Sequence, residues 1–320
     1  MELSDDALRS IVAHLAHLRA EYGDVLGNLD LVEPNGDYFP DAFALEPAAI
    51  DRLMRRMMTY APLASDLEVQ VVFVEPDTEG TSGGGCGTGA CSPGDKTPGK
   101  QVMKGGAAET ADGYAVVIAS GDVAEPKLLT ASLARSMGRL VLFEADEEVD
   151  PRVEGALSEL TAVACGLGVL LLNGASVYKK GCGGMRQHQG TFLGASELAL
   201  ACALFIRVTD RKPGAVRRHL AVTQREAFDS ALDWVDGQPK LVRALMNEPE
   251  TLADGIFALE EKKGLLSRLL SSSPKERKHD DEADALAALS VPRPAKERTE
   301  EERRRLAETR ALVEEALQDS

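Results

Sequence analysis

Two arginines one helical turn apart, Arg135 and Arg139, flank Ser136 in the stretch LLTASLARSMGRLVLFEAD (residues 128–146). Side chains four apart on a helix share a face and can reach one point. A hydrolytic zinc site uses that layout with His, Glu and His. The two imidazoles hold the metal and the carboxylate between them is the general base. Arg, Ser and Arg do neither, because a guanidinium stays protonated and offers no lone pair. The carboxylate that a later helix would bring to them is Glu159, in EGALSELTAV (154–163), where that helix turns from polar to apolar. A buried carboxylate needs a cationic partner. Arg135, Arg139 and Glu159 are therefore candidate binding residues of one cleft, with one or both arginines paired to Glu159. The alternative is that both arginines face solvent, and the residues alone leave the two open.

The other chemistry-bearing residues form weaker patterns. Cys86 and Cys91 are separated by four residues in GGGCGTGACS, and Cys182 precedes His188 by six positions. Neither is a zinc-ribbon spacing, since a structural zinc needs four ligands. Both pairs remain candidates for thiol or metal chemistry. GDKTPGKQ (94–101) matches the phosphate-cradling pattern for seven positions and then places Gln101 where a hydroxyl should hold magnesium. No strand leads into it and no helix follows, so it reads as a loop. Ser136 lacks the glycine-flanked elbow of a hydrolase nucleophile. His14 and His17, three residues apart on an N-terminal helix, read as a solvated polar edge and not as metal ligands.

The elements that must position these residues follow from periodicity. Residues 4–21 predict an amphipathic helix capped by Ser4, and 46–61 a helix opened by Pro47. The alternating, Val-rich DLEVQVVFVEP (66–76) and GYAVVIASGDV (113–123) predict paired strands, with a further strand expected near 28–33. Residues 77–112 read as a long Gly-rich loop. Helices are expected at 128–143, 152–173, 195–208, 214–237 and 239–248, with the pattern continuing over 249–272. YKKGCGGMRQHQG (178–190) reads as a basic loop.

With 320 residues the chain can bury a sizeable core. A net charge of −16 argues against general nucleic-acid or anionic-membrane binding, which needs a basic surface. The longest apolar run, LTAVACGLGVLLLNGASV (160–177), carries three glycines and an asparagine and reads as a core helix, so no membrane insertion is expected. The acidic opening MELSDDALRS and the odd count of five cysteines predict reduced thiols and a cytoplasmic protein. The composition predicts a body over 1–270, a linker over 271–298 and a charged terminal helix over 299–320.

PNGDYFPDAF (34–43), LARSMGRLVL (133–142), SELTAVACGLGVLLLNGA (158–175) and HQGTFLGASELALACALFIR (188–207) occur in that order. The ordered set resembles a family of uncharacterised bacterial zincin-like proteins with a His-Glu-x-x-His helix, and covers roughly residues 25–210 of this chain. The two His ligands and the catalytic Glu of that family are Arg135, Arg139 and Ser136 here, and the aspartate of its next helix is Glu159. The resemblance implies an α+β fold, a small sheet packed on a mainly helical zincin-like core with a charged C-terminal tail. It does not imply peptidase activity or a cofactor. The expectation is a non-catalytic module that binds or scaffolds an unknown protein partner through the Arg135/Arg139 cleft, the basic loop or the tail. Two alternatives are an enzyme using Cys86/Cys91 or Cys182/His188, and an adaptor whose charged C-terminal helix binds a partner.

Overall fold

The computed structural model describes residues 3–74, 106–181 and 184–259. Ser4 caps α1 (Asp5–Leu26) by accepting from the Ala7 amide, and two acidic residues occupy the positive end of the helix. Its stripe of Leu8, Ile11, Val12, Leu15 and Leu18 is buried. Pro47 opens α2 (Pro47–Met58), which buries Ala49, Ile50, Met54 and Met57. The segment before it, 34–43, folds as a turn-rich loop whose Asn35 side chain accepts from the amides of Asp37 and Tyr38.

Three strands form the main sheet, in the order β1 (Val69–Val74), β3 (Tyr114–Ala119), β2 (Gly106–Glu109). β1 and β3 pair in parallel with Val69 opposite Tyr114, and β2 runs antiparallel to β3 with Gly106 opposite Val117. Central β3 carries the continuous apolar run Ala115–Ile118, as a strand covered on both faces must. The end of the expected loop, 106–109, is thus a strand. The expected strand near 28–33 is irregular chain instead.

A four-residue turn, α3 (Ser120–Val123), leads from β3 into α4 (Pro126–Glu144). This helix is the centre of the fold. Every residue from Ala131 to Gly138 is buried, because α4 packs against the sheet, α2, α5 (Glu154–Ala164) and α6 (Gly168–Gly174). Small residues permit the crossing: a Cβ on Gly138 would lie 1.9 Å from the Ser158 carbonyl oxygen.

The helix expected over 152–173 is broken into α5 and α6. Gly166 sits at φ +85°, where a Cβ would lie 2.0 Å from the Asp30 carbonyl oxygen, and its own carbonyl accepts from the Val32 amide at 3.0 Å. The irregular segment 28–33 therefore occupies the space a continuous helix would need, and only glycine tolerates both the conformation and the approach. The expected basic loop 178–190 contains an antiparallel hairpin, β4 (Val177–Gly181) with β5 (Gly184–His188). Helix α7 (Ala195–Val208) is buried from Leu198 to Ile206. Behind it lie the short turn α8 (Gly214–Arg217), α9 (Val222–Asp236) and α10 (Pro239–Asn247). The helix expected over 214–237 is interrupted between α8 and α9. The pattern after 249 becomes one 3-10 turn, Pro249–Thr251, and irregular chain up to residue 259. The described residues are thus mixed α+β, mainly helical, with sheets of three and two strands.

Candidate functional site

Arg135 and Glu159 meet inside the fold. α4 presents the guanidinium from its most buried stretch and α5 presents the carboxylate one turn past Gly155. Arg135 Nε donates to Glu159 Oε1 at 2.9 Å, with side-chain exposures of 2% and 0%. The connection between β5 and α7 completes the shell. The Phe192 amide donates to Oε1 at 2.8 Å and the Leu193 amide to Oε2 at 2.9 Å. Arg135 Nη2 donates to the Gly190 carbonyl. The Phe192 ring lies over the guanidinium, 5.1 Å from centroid to Cζ, and its other neighbour is Gly155, where a Cβ would strike the ring at 2.4 Å. One ion pair thus ties together α4, α5 and the loop that starts α7. Burial pushes the Glu159 carboxyl above its ordinary range, against the opposing pull of Arg135 and the two amides.

Arg139 and Ser136 have different partners. Arg139 Nε lies 2.9 Å from Glu154 Oε1 without hydrogen-bond alignment, and its guanidinium covers the Phe143 ring at 3.9 Å. Its side chain is 11% exposed. The Ser136 hydroxyl lies 3.0 Å from the Ser132 carbonyl oxygen and 3.2 Å from that of Gly106, so it bridges α4 to the start of β2. Arg135 and Glu159 therefore do not line an open cleft; they are enclosed, because the 189–193 loop folds over them.

This geometry decides what the site can do chemically. A zinc ion would need lone pairs where Arg135 and Arg139 carry protonated guanidinium groups, so these residues are not a zinc ligand set. Glu159 accepts three hydrogen bonds and has no access to solvent, so it is not poised as a base. Among the described residues, no group of three or more His, Cys, Asp and Glu is placed to hold a metal ion.

The remaining sequence candidates are separated from this site. Cys86, Cys91 and Cys182 lie outside the described residues, as do residues 94–101 and the terminal segment 271–320. His188 is an exposed residue at the end of β5. Cys165 and Cys202 are buried and free, and burial pushes both thiols up to about 12, which leaves them unreactive.

His14 departs from a solvated edge, whereas the His17 side chain is 41% exposed. His14 Nε2 lies 3.2 Å from Thr161 Oγ1 of α5. His17 Nε2 lies 3.2 Å from Glu147 Oε1, which also accepts from the Tyr22 hydroxyl at 2.9 Å. Burial first, then the neighbouring His17, lowers the His14 pKa to about 4, so the ring is neutral at neutral pH.

No family model, curated protein or solved structure matches the chain. Among the described residues, no helix is long and apolar enough to cross a membrane.

Proposed function

We propose that this chain is a non-catalytic protein of zincin-like architecture that acts as a protein-binding or scaffolding module. The observation that carries the reading is the enclosed Arg135–Glu159 pair, which α4 and α5 bring together. The family resemblance would put metal ligands on these two helices. A salt bridge there supplies cohesion between three segments and leaves no group free for hydrolysis. The surface above it offers a partner more than a substrate. Phe192 covers the pair yet remains 41% exposed, and Val153, two residues before the Gly155 on which the ring rests, is 45% exposed. Aromatic and aliphatic residues held rigidly at a surface are suited to partner contact.

The experiment is metal analysis of the untagged full-length chain by elemental mass spectrometry, with a peptidase assay on the same preparation. The reading predicts zinc far below one equivalent and no hydrolysis. Stoichiometric zinc with hydrolysis overturns it. For the binding role, proteins retained by the wild-type chain are expected to be lost by Phe192→Glu; retention by both, or by neither, contradicts the assigned surface.

A further inference from the structure

A cavity of about 390 Å3 lies at the N-terminal end of α4, away from the Arg135–Glu159 pair. That volume falls within the range of small-molecule sites. The 34–43 loop forms one wall, α2 the second and the first turn of α4 the third. Phe39, Phe43, Ala49, Leu53, Pro126 and Leu129 make it largely apolar. The apolar surface continues outward, because Phe43 is 44% exposed and Leu45, two residues on, is 63% exposed.

Two cations and one anion line the cavity. Arg56 is committed to Asp41, with Nη2 donating to Oδ2 at 2.8 Å and Nε at 3.2 Å. Arg52, one turn earlier on α2, is exposed and makes no hydrogen bond or ion pair among the described residues. The charge left over is thus a single guanidinium beside an apolar hollow, in a chain whose net charge is −16. One fork of parallel donors matches one carboxylate. A phosphate dianion would lack a second free cation here and would face Asp41.

We propose that this cavity binds a free amphipathic monocarboxylate, its hydrocarbon body against Phe39, Leu53 and Leu129 and its carboxylate on Arg52. This site is separate from the partner surface proposed above, and neither depends on the other. It is built from PNGDYFPDAF and the two helices that loop touches.

The test is calorimetric titration of the full-length chain with decanoate and, separately, with decanol. The wild type is expected to bind decanoate saturably and decanol about tenfold more weakly, the scale of one charge-assisted contact. Arg52→Gln, on an exposed side chain, is expected to remove that discrimination. Thr130→Phe, which fills the cavity from α4, is expected to remove both. Arg55→Gln changes a neighbouring arginine already tied to Asp51 and is expected to leave affinity unchanged. Absence of saturable decanoate binding, equal affinity for the two ligands, or decanoate binding that survives Thr130→Phe overturns the proposal. So does binding to phosphatidylglycerol-containing vesicles without binding of free decanoate, which would assign Arg52 to a membrane surface.

Discussion

Substituting either member of the Arg135–Glu159 pair leaves the other buried without its charged partner, and the size of the loss is predictable. Arg135→Met leaves the Glu159 carboxylate enclosed with only the Phe192 and Leu193 amides. Glu159→Gln leaves a buried guanidinium and turns an amide NH2 toward one of those two N–H donors. Removing one partner of a buried pair costs about 3–5 kcal/mol. For the 224 described residues, each kcal/mol moves Tm by roughly 2–4 °C, so each single variant should melt roughly 6–20 °C lower. The double variant R135M/E159Q buries no charge. Its glutamine oxygen still serves one amide, so the remaining penalties are those of the other amide and of the Gly190 carbonyl that loses Arg135 Nη2, about 1–3 kcal/mol each. The double variant is therefore expected to be more stable than the sum of the two singles implies, with a coupling of about 2 kcal/mol or more. Urea denaturation at neutral pH on all four proteins measures this directly. Additivity within about 0.5 kcal/mol, or a single variant costing less than about 1 kcal/mol, refutes the view that the pair holds three segments together.

Two further outcomes follow from the same packing. His14 has a folded pKa of about 4 against an ordinary 6.5, so between those values the unfolded chain takes up a proton that the folded chain refuses. Stability should fall by about 2–3 kcal/mol as pH drops through that window, and His14→Gln should flatten the loss in urea denaturation against pH; an unchanged slope contradicts it. Gly138→Ala places a Cβ 1.9 Å from the Ser158 carbonyl oxygen and must push α4 from α5. It is expected to cost about 1–3 kcal/mol or more in the same assay, and a neutral effect would contradict the close crossing.

Most of the elements were legible from the sequence because their signals are local. Apolar periodicity marks α1, α4 and α7, a proline opens α2, and alternating valines mark β1 and β3. The misses come from contacts distant in sequence. Nothing local in SELTAVACGLGVLLLNGA announces that residues 30–32 press on Gly166 and split the helix. The hairpin inside 178–190 is glycine-rich and basic, which reads as a loop until its two strands pair. The leucines of α4 form an apolar stripe, but Ala131, Ser132, Ala134 and Ser136 outside it are small residues buried by close neighbours, which spacing alone does not announce.

The candidate site was legible in part for the same reason. The helical spacing of Arg135 and Arg139 and the polar-to-apolar turn at Glu159 pointed to a pairing, and Arg135 makes it. The enclosing loop carries no charge pattern, since Gly190, Phe192 and Leu193 act through their backbone. Arg139 takes Glu154 and Phe143 instead. The cavity beside Arg52 had no signal in composition or spacing, because its walls come from three separate elements.

The claim at the centre of this account is that Arg135, Arg139 and Glu159 occupy the positions of a lost metal site. It is tested most directly by equilibrium dialysis against zinc of the wild-type chain, R135H/S136E/R139H, and the latter with Glu159→Gln added, each checked for folding by circular dichroism. The account predicts that the triple variant gains one equivalent of zinc over wild type and that Glu159→Gln removes the gain. A folded triple variant that gains none, or one whose gain survives Glu159→Gln, contradicts it.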